Sequence, residues 1–413
     1  MENSYNIIII GAGIAGLYSA YNIKKLFPKM SYLILESNKK EDIGGRIGKR
    51  LFYNTSVNIG AGIGRYSTDK LLLELLNELN INYQEFEVNI NYSLSIQNHI
   101  NIKKIFNKLK NIYNSYKNKP SVTFKYFALE HLGEKIYQDF ITCSGYSDYE
   151  LEDIYEVLYH YEFNNNSSGW TAFSLDWTKL VQKLCKKIGM NNIKTSSKVK
   201  LINKLENSDY LFEIITDKNK KYYSNKIIVA TSINTTQKLF PYQSIYKEIH
   251  GQPFLYVYAK FDKSSTQIMK EYVPYYTIVS GPLQKMIPIN KDKGIYMIAY
   301  ADNKNATYLQ KYSIQSSLKN KIFFEKLVEK ALDISQNTLH IIAIKQFYWT
   351  IGTHYYEPLN FNKYNNRKEF INTAQNPDSN IIVIGEQVSR KQGWIEGALE
   401  SVNTVLTKKW LEK

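Results

Sequence analysis

The sequence predicts an α/β fold: a doubly wound, mostly parallel sheet built from separated pieces of chain, with an α+β unit inserted between them. Three observations lead to it. The chain opens with "YNIIIIGAGIAGLYSAYNIKK" (residues 5–25), where four isoleucines run into three glycines. It closes with "NIIVIGEQVSRKQGWIEGALESV" (380–402), another apolar run that ends at a glycine. Between them lie alternating segments such as "PFLYVYAKFD" and "GIYMIAYAD", which read as strands of a different sheet.

The first element is a buried strand, because isoleucine is stiff and β-branched. Gly11, Gly13 and Gly16 then allow a tight turn and a close approach, with Ala15 among them. From Gly16 the pattern turns helical, with Leu17, Ala20, Tyr21 and Lys24 at spacings of three and four. Strand, glycine turn and helix form a Rossmann-like phosphate site, since the helix start points free N–H groups at an anion. A second apolar run, "SYLILES", places Glu36 about 25 residues after Gly11, where an acid accepts hydrogen bonds from ribose hydroxyls. An acid there disfavours a 2′-phosphate, so NADP is not expected.

A second glycine element follows in "EDIGGRIGKR". Gly44 and Gly45 free the backbone again, and Arg46 offers a planar cation to phosphate. "VNIGAGIGRY" brings Gly60, Ala61 and Gly62. At the far end, a strand over 381–384 leads to Gly385 and Glu386. Gly393, Trp394, Ile395 and Gly397 then open an amphipathic helix. With these motifs in this order, the chain resembles the flavin-containing amine oxidase superfamily, the monoamine and polyamine oxidases and their relatives. The match runs over residues 1 to about 70, about 168 to 240, and 380 to 413.

The resemblance implies a Rossmann-like FAD-binding domain of the discontinuous, GR2 type, formed by residues 1–80, 168–240 and 376–413. It implies a substrate-binding domain of α+β type from residues 81–167 and 241–375. FAD would be held at Gly11, Gly13, Ala15, Gly16, Glu36, Gly45 and Arg46, with Val199 on the adenine side and Ala230 near the pyrophosphate. Gly60, Ala61 and Gly62 would pass beside the flavin and ribityl chain. Gly385, Glu386, Trp394 and Ile395 complete the set, Glu386 at ribityl or phosphate groups. Both cysteines lie far from the position of the family's thioether link, so the FAD is expected to be non-covalent. His354 is read as a structural histidine, with a histidyl link as the alternative.

Hydride transfer from an amine, with a polyamine among the candidates, would reduce the flavin, and oxygen would carry the electrons away as hydrogen peroxide. Trp394 and either Tyr355 or Tyr356 would frame the reacting face. The family's flavin-proximal lysine is replaced by Tyr256, and Lys260 lies four residues along the same strand. That replacement supports a second reading, a catalytically degenerate flavoprotein with a structural or interaction role, as in a virion or complex.

Bulk properties bound these readings. The chain is 44% hydrophobic, enough for a substantial core. Two cysteines, Cys143 and Cys185, imply no disulfide framework. No signal peptide or membrane-spanning run is read, so a cytoplasmic protein is expected, or one in host cytoplasm or virion if viral. The net charge of +15 accompanies abundant Lys, Asn, Ile and 35 Tyr, all with AT-rich codons. Codon bias accounts for scattered lysines better than a nucleic-acid partner does. No metal site is expected, and a homodimer is left open. Other elements read as follows: "DIYEVLYHYEF" helical, "NNNSSG" (164–169) a loop, "TYLQKYSIQSSLKNKIFFEKLVEKAL" helical, and "TLHIIAIKQFYWT" a strand of the second sheet.

Overall fold

The isoleucines of the opening strand alternate between two hydrophobic cores. In the computed structural model, which describes residues 3–161, 163, 167–206 and 208–412, Ser4–Ile10 lies inside a seven-stranded sheet. Ile7 and Ile9 pack with the helices Ile14–Leu26, Trp177–Ile188 and Ile395–Val405. Ile8 and Ile10 pack on the opposite face with Ile233, Tyr246 and Phe370. Cover on both faces explains why the strand is apolar throughout.

Tyr32–Leu35 and Lys221–Val229 flank this strand in parallel, and Ile193–Lys194 extends the sheet beyond Tyr32–Leu35. Lys221–Val229 changes partner along its length. Its first half pairs antiparallel with Phe212–Thr216, which pairs in turn with Val199–Lys204. Its end, Ile227 to Val229, pairs in parallel with Ile381–Val383. The two termini of the chain therefore meet in one sheet.

Two sequence expectations shift. The first helix begins at Ile14 with Gly13 as its cap, so Gly16 lies in the first turn instead of before it. Gly16 is needed for packing: a Cβ there would come within 2.0 Å of the Gly11 carbonyl oxygen. The long helical stretch after residue 303 is two helices, Asn303–Ser313 and Leu318–Leu332, because the Ser317 hydroxyl accepts from the Asn320 N–H and starts the second. Of the loop read at 164–169, residues 164–166 lie outside the described residues.

The second sheet is ordered Ile341–Tyr356, Ile249–Phe261, Ile295–Asp302, Lys285–Asn290, Tyr276–Ile278 and Ile90–Tyr92. It contains the three strands expected from the later insertion, and its last strand comes from the earlier one. Alternation along Ile249–Phe261 divides its faces. Leu255, Val257 and Ala259 enter a core with the two helices over 303–332. Tyr256 and Tyr258 point the other way, against Phe52 and Val57 of the first domain. Helices Ile102–Ser115, Phe124–Ser144 (kinked at Gly133, φ 74°) and Ile154–Tyr159 form a separate aromatic core around Phe124, Phe140 and Tyr149. Cys143 and Cys185 are buried and free. Among the described residues no helix is long and apolar enough to cross a membrane.

Candidate active site

The first half of the site is made of backbone. Gly13 caps the helix without a side-chain bond, and a Cβ built on it would meet nothing within 4 Å. Gly45, at φ 61°, faces the same space, where a Cβ would touch only the Gly13 α-carbon at 3.8 Å. The Gly44 N–H donates to the Ala12 carbonyl at 2.9 Å and holds the two glycine turns together. Open space over a helix N-terminus, between two glycine turns, fits a pyrophosphate. Ala15 is buried in the first turn of that helix. Ala230 stands across from Gly11, where an added Cβ would be 2.5 Å from the Ala230 carbonyl oxygen. Val199 is buried at the start of its strand.

Glu36 follows its strand and is buried. Its Oε2 accepts from the Ala12 N–H at 2.7 Å, and its Oε1 accepts from Asn38 N–H at 2.7 Å and the Ser37 hydroxyl at 3.1 Å. An ionised carboxylate has about four acceptor positions, so one remains for a ribose hydroxyl. Arg46 directs Nη1 to the Gly352 carbonyl at 2.7 Å and to Glu386 at 2.6 Å. Its side chain remains about one-third exposed, with Nε and Nη2 available to an anion. On these grounds the residues fit a dinucleotide.

Glu386 is the hub of the site. Besides Arg46, it accepts from His354 Nδ1 at 2.5 Å and from the Gly393 N–H at 3.0 Å. Burial alone would raise its pKa, but the His354 imidazole, the Arg46 guanidinium and these hydrogen bonds hold it well below the usual carboxylate range. All three partners are protein groups, so Glu386 orients the phosphate-side arginine and the Gly393 turn together. His354 Nε2 accepts from the Ile233 N–H at 3.2 Å, which places the proton on Nδ1 and leaves neither nitrogen free. This satisfied histidine agrees with the structural reading.

The segment from Asn58 to Gly62 is pinned through its carbonyls. Tyr258 donates to Asn58 at 2.7 Å, Trp349 to Ile59 at 2.6 Å, and Trp177 to Gly62 at 3.3 Å. The Ala61 N–H donates to the Arg46 carbonyl at 2.9 Å, and a Cβ on Gly60 would lie 2.2 Å from that same oxygen. A Cβ on Gly62 would meet only Asn58 Nδ2, at 3.8 Å. On the other side, Gly385 leads into Glu386, and Trp394 caps the helix that Ile395 begins. The Trp394 ring lies 3.8 Å from the guanidinium of Arg65, which is buried and paired to Asp69. Tyr355 stacks on His250 with centroids 5.3 Å apart, and Thr353 is the strand residue against Gly393. Tyr356 is buried in the core, with its hydroxyl on the Ser389 carbonyl.

The second half of the site is made of side chains, of which sequence reasoning named only Tyr256. Tyr256 lies edge-on to Tyr300 at 4.5 Å, and Tyr300 to Tyr146 at 5.6 Å. Lys260 leaves this group and binds surface carbonyls of Phe261 and Lys293. A different lysine enters: Lys285, from the strand next but one, is fully buried with its Nζ 2.7 Å from the Tyr146 ring centroid and 3.9 Å from that of Tyr300. Its Nζ has no hydrogen-bond partner. Burial pulls its pKa well below the ordinary value, opposed by Asp302 and Asp148. In sequence it is a polar residue at the edge of "KMIPIN", and nothing local marks it.

Beside Gly393 lies a cavity of 20 Å³, room for about one water, whose lining includes Asp148, Glu152, His160, Tyr161 and Arg390. Burial and the charge of Asp302 push Asp148 up to about 7, although Tyr161 donates to it at 2.6 Å. Burial, with Glu156, Asp148 and Asp153 nearby, raises Glu152 well above the carboxylate range. His160 is pulled down to about 4 by burial and by Arg390, whose Nη1 donates to its Nε2 at 2.9 Å. The segment "DYELEDIYE" thus buries acids with few cations to match them.

Together, a glycine phosphate cradle on one sheet and a buried tyrosine–lysine cluster on a second define a protein of the type that holds a dinucleotide against a second domain-sized unit. Comparison with known families specifies it. A sequence model described as flavin containing amine oxidoreductase matches residues 107–403, and one described as an NAD(P)-binding Rossmann-like domain matches residues 9–79. The chain belongs to the flavin-containing amine oxidoreductase family, and membership implies a flavin cofactor. Solved structures of putrescine oxidase share the fold. A double mutant matches with TM-score 0.77 at 12% identity over 100% of both chains. The wild type bound to putrescine matches with TM-score 0.73 at 12% identity over 96% of this chain and 97% of that one. No curated protein matches the sequence.

Proposed function

We propose that the protein is an FAD-dependent amine oxidase acting on a small amine that carries a second positive charge, as polyamines do. The observation that carries this reading is the cavity at Gly393, where the buried acids Asp148 and Glu152 form no ion pair among the described residues and burial dominates both. Buried carboxylates without partners are costly, and an entering ammonium group relieves that cost. The putrescine bound to a solved relative of the same fold is a molecule of this kind.

Residues 1–80, 168–240 and 376–413 would hold FAD non-covalently, and 81–167 with 241–375 would enclose the amine. Gly13, Gly45 and Arg46 receive the pyrophosphate, and Glu36 a ribose hydroxyl. The start of the helix Ile395–Val405 would offer its N–H groups to the flavin, and the Asn58–Gly62 segment, pinned by Trp349, would help to hold it. Tyr256, Tyr300 and Trp394 exclude water and orient the reacting carbon. Glu152 would hold the distal ammonium. The bound flavin supplies the hydride acceptor, with oxygen as the final oxidant giving hydrogen peroxide.

The test is anaerobic titration of the purified yellow protein with putrescine and with a monoamine of equal length. Bleaching at lower putrescine concentration is the expected result. A flavin that neither amine reduces overturns the reading.

A further inference from the structure

Lys285 is the amine at the heart of the tyrosine cluster, and the functions above leave it unused. It is fully buried, its nitrogen has no hydrogen-bond partner, and it rests on the faces of Tyr146 and Tyr300. Such an amine is costly to keep for packing alone, since an apolar side chain would fill the space without penalty. Amine oxidation also creates a need. The substrate arrives as an ammonium ion, and only the neutral amine can give up hydride, so a proton must be removed first.

We propose that Lys285 is the proton acceptor for the incoming substrate ammonium, with Asp148 passing the proton from the cavity. This rests on the amine-oxidation reading. Asp148 belongs to both places: it lines the cavity at Gly393, and the loop that carries it packs on Lys285, whose Cγ would lie 3.2 Å from a Cβ on Gly145. One N–H bond of the substrate ammonium breaks, and one forms on the free Lys285 amine. Asp148 ends as the carboxylate it began as, and no electrons move.

The chamber is suited to both states of Lys285. As a free amine it fits a dry box in which burial disfavours charge. As an ammonium it gains the π faces of Tyr146 and Tyr300 and the charges of Asp148 and Asp302. The other ionisable groups facing the box are Tyr256 and Tyr276, both pushed up by burial and so neutral, and Tyr161, which donates to Asp148. Asp302 is itself fixed by the Ser147 N–H at 2.9 Å and the Gln284 amide at 3.0 Å, so it supplies a stationary charge.

Two substitutions and two measurements test this. Lys285→Met fills the same volume without an amine, and Lys285→Arg keeps a cation that cannot serve as a base. Anaerobic flavin reduction by putrescine near neutral pH is expected to fall about 100-fold in both. In each it should recover about tenfold per pH unit toward the amine's own pKa, near 10. The thermal midpoint of Lys285→Met should equal or exceed that of the parent, which excludes misfolding as the cause. Independently of turnover, ¹⁵Nζ-lysine NMR reads the proton directly. The Lys285 signal, identified by its loss in Lys285→Met, is expected at the free-amine position in the flavin-loaded protein. It should move to the ammonium position on adding tert-butylamine, which has no hydrogen to give as hydride.

Reduction of Lys285→Met within twofold of the parent near neutral pH overturns the proposal and leaves amine oxidation standing. So does a Lys285 signal that tert-butylamine does not move. Parent flavin that no amine reduces overturns the amine-oxidation reading, and this one with it.

Discussion

The phosphate cradle and the amine chamber are built in opposite ways. At Gly13 and Gly45 the cradle is backbone and empty space, and a side chain would only obstruct it. At Tyr146, Tyr256, Tyr300 and Lys285 the chamber is side chain packed on side chain. A dinucleotide is recognised through peptide N–H groups common to every residue, so the chain needs only the right turns. The proposed amine site instead needs aromatic faces and acids, which must be brought in from several strands. The cradle should therefore fail by obstruction and the chamber by changes in its charge balance.

The strongest way to break the contrast is a pair of substitutions in one turn. Gly16→Ala drives a Cβ to 2.0 Å from the Gly11 carbonyl oxygen, and the helix must lift off the strand. A loss of about 1–3 kcal/mol or more and a protein without flavin are expected, read by thermal unfolding and absorbance. Gly13→Ala meets nothing within 4 Å and has φ −72°, which alanine adopts freely. It should fold as well as the parent yet bind FAD at least about tenfold more weakly, by fluorescence titration, a loss of about 1.4 kcal/mol. Equal effects of the two on folding would remove the distinction.

At the cavity, Glu152→Gln removes an acid whose carboxylate has no hydrogen-bond partner among the described residues. KM for putrescine should rise about tenfold or more, with the monoamine affected far less, because only the distal charge is lost.

Asp148 sharpens the point through pH. Its folded pKa is raised from 3.8 to about 7, so between those values the folded protein holds a proton that the unfolded chain has released. The stability contributed by the neutral form is complete below the unfolded value and is lost as pH rises through about 7. Thermal midpoints should therefore fall across this window. Asp148→Asn should flatten the slope and exceed the parent on the alkaline side, matching it on the acid side. The smallest effect is expected from Trp349→Phe, which loses the 2.6 Å bond to the Ile59 carbonyl. About 1 kcal/mol of stability should go, with flavin still bound.

The same contrast decides what could be read from the sequence. Gly11, Gly13, Gly16, Glu36, Gly45 and Arg46 occupy one short run, and the spacing of a turn is local information. The strands at both ends and the second sheet were legible because uniform apolar runs and alternating ones follow from which faces are covered. Lys285 and Asp148 were not, since they lie far apart in the chain and meet only after the second sheet and the loop following Ser144 have packed. Tyr256 was placed correctly on its strand, but which lysine enters its surroundings depended on the order and register of the two strands beyond it. Glu386 was visible as a residue after a strand. Its three partners, at positions 46, 354 and 393, were not.

The strand that exchanges neighbours, Lys221–Val229, has a consequence for biosynthesis. Ile381–Val383 can dock on it only after nearly the whole polypeptide has left the ribosome. The Glu386 clasp and the last helix come later still. Until then, the apolar end of Lys221–Val229 has no strand on that border, and contacts this distant in sequence close slowly. A nascent chain cut off before residue 381 should therefore remain colourless and depend on chaperones, however complete its first 240 residues are.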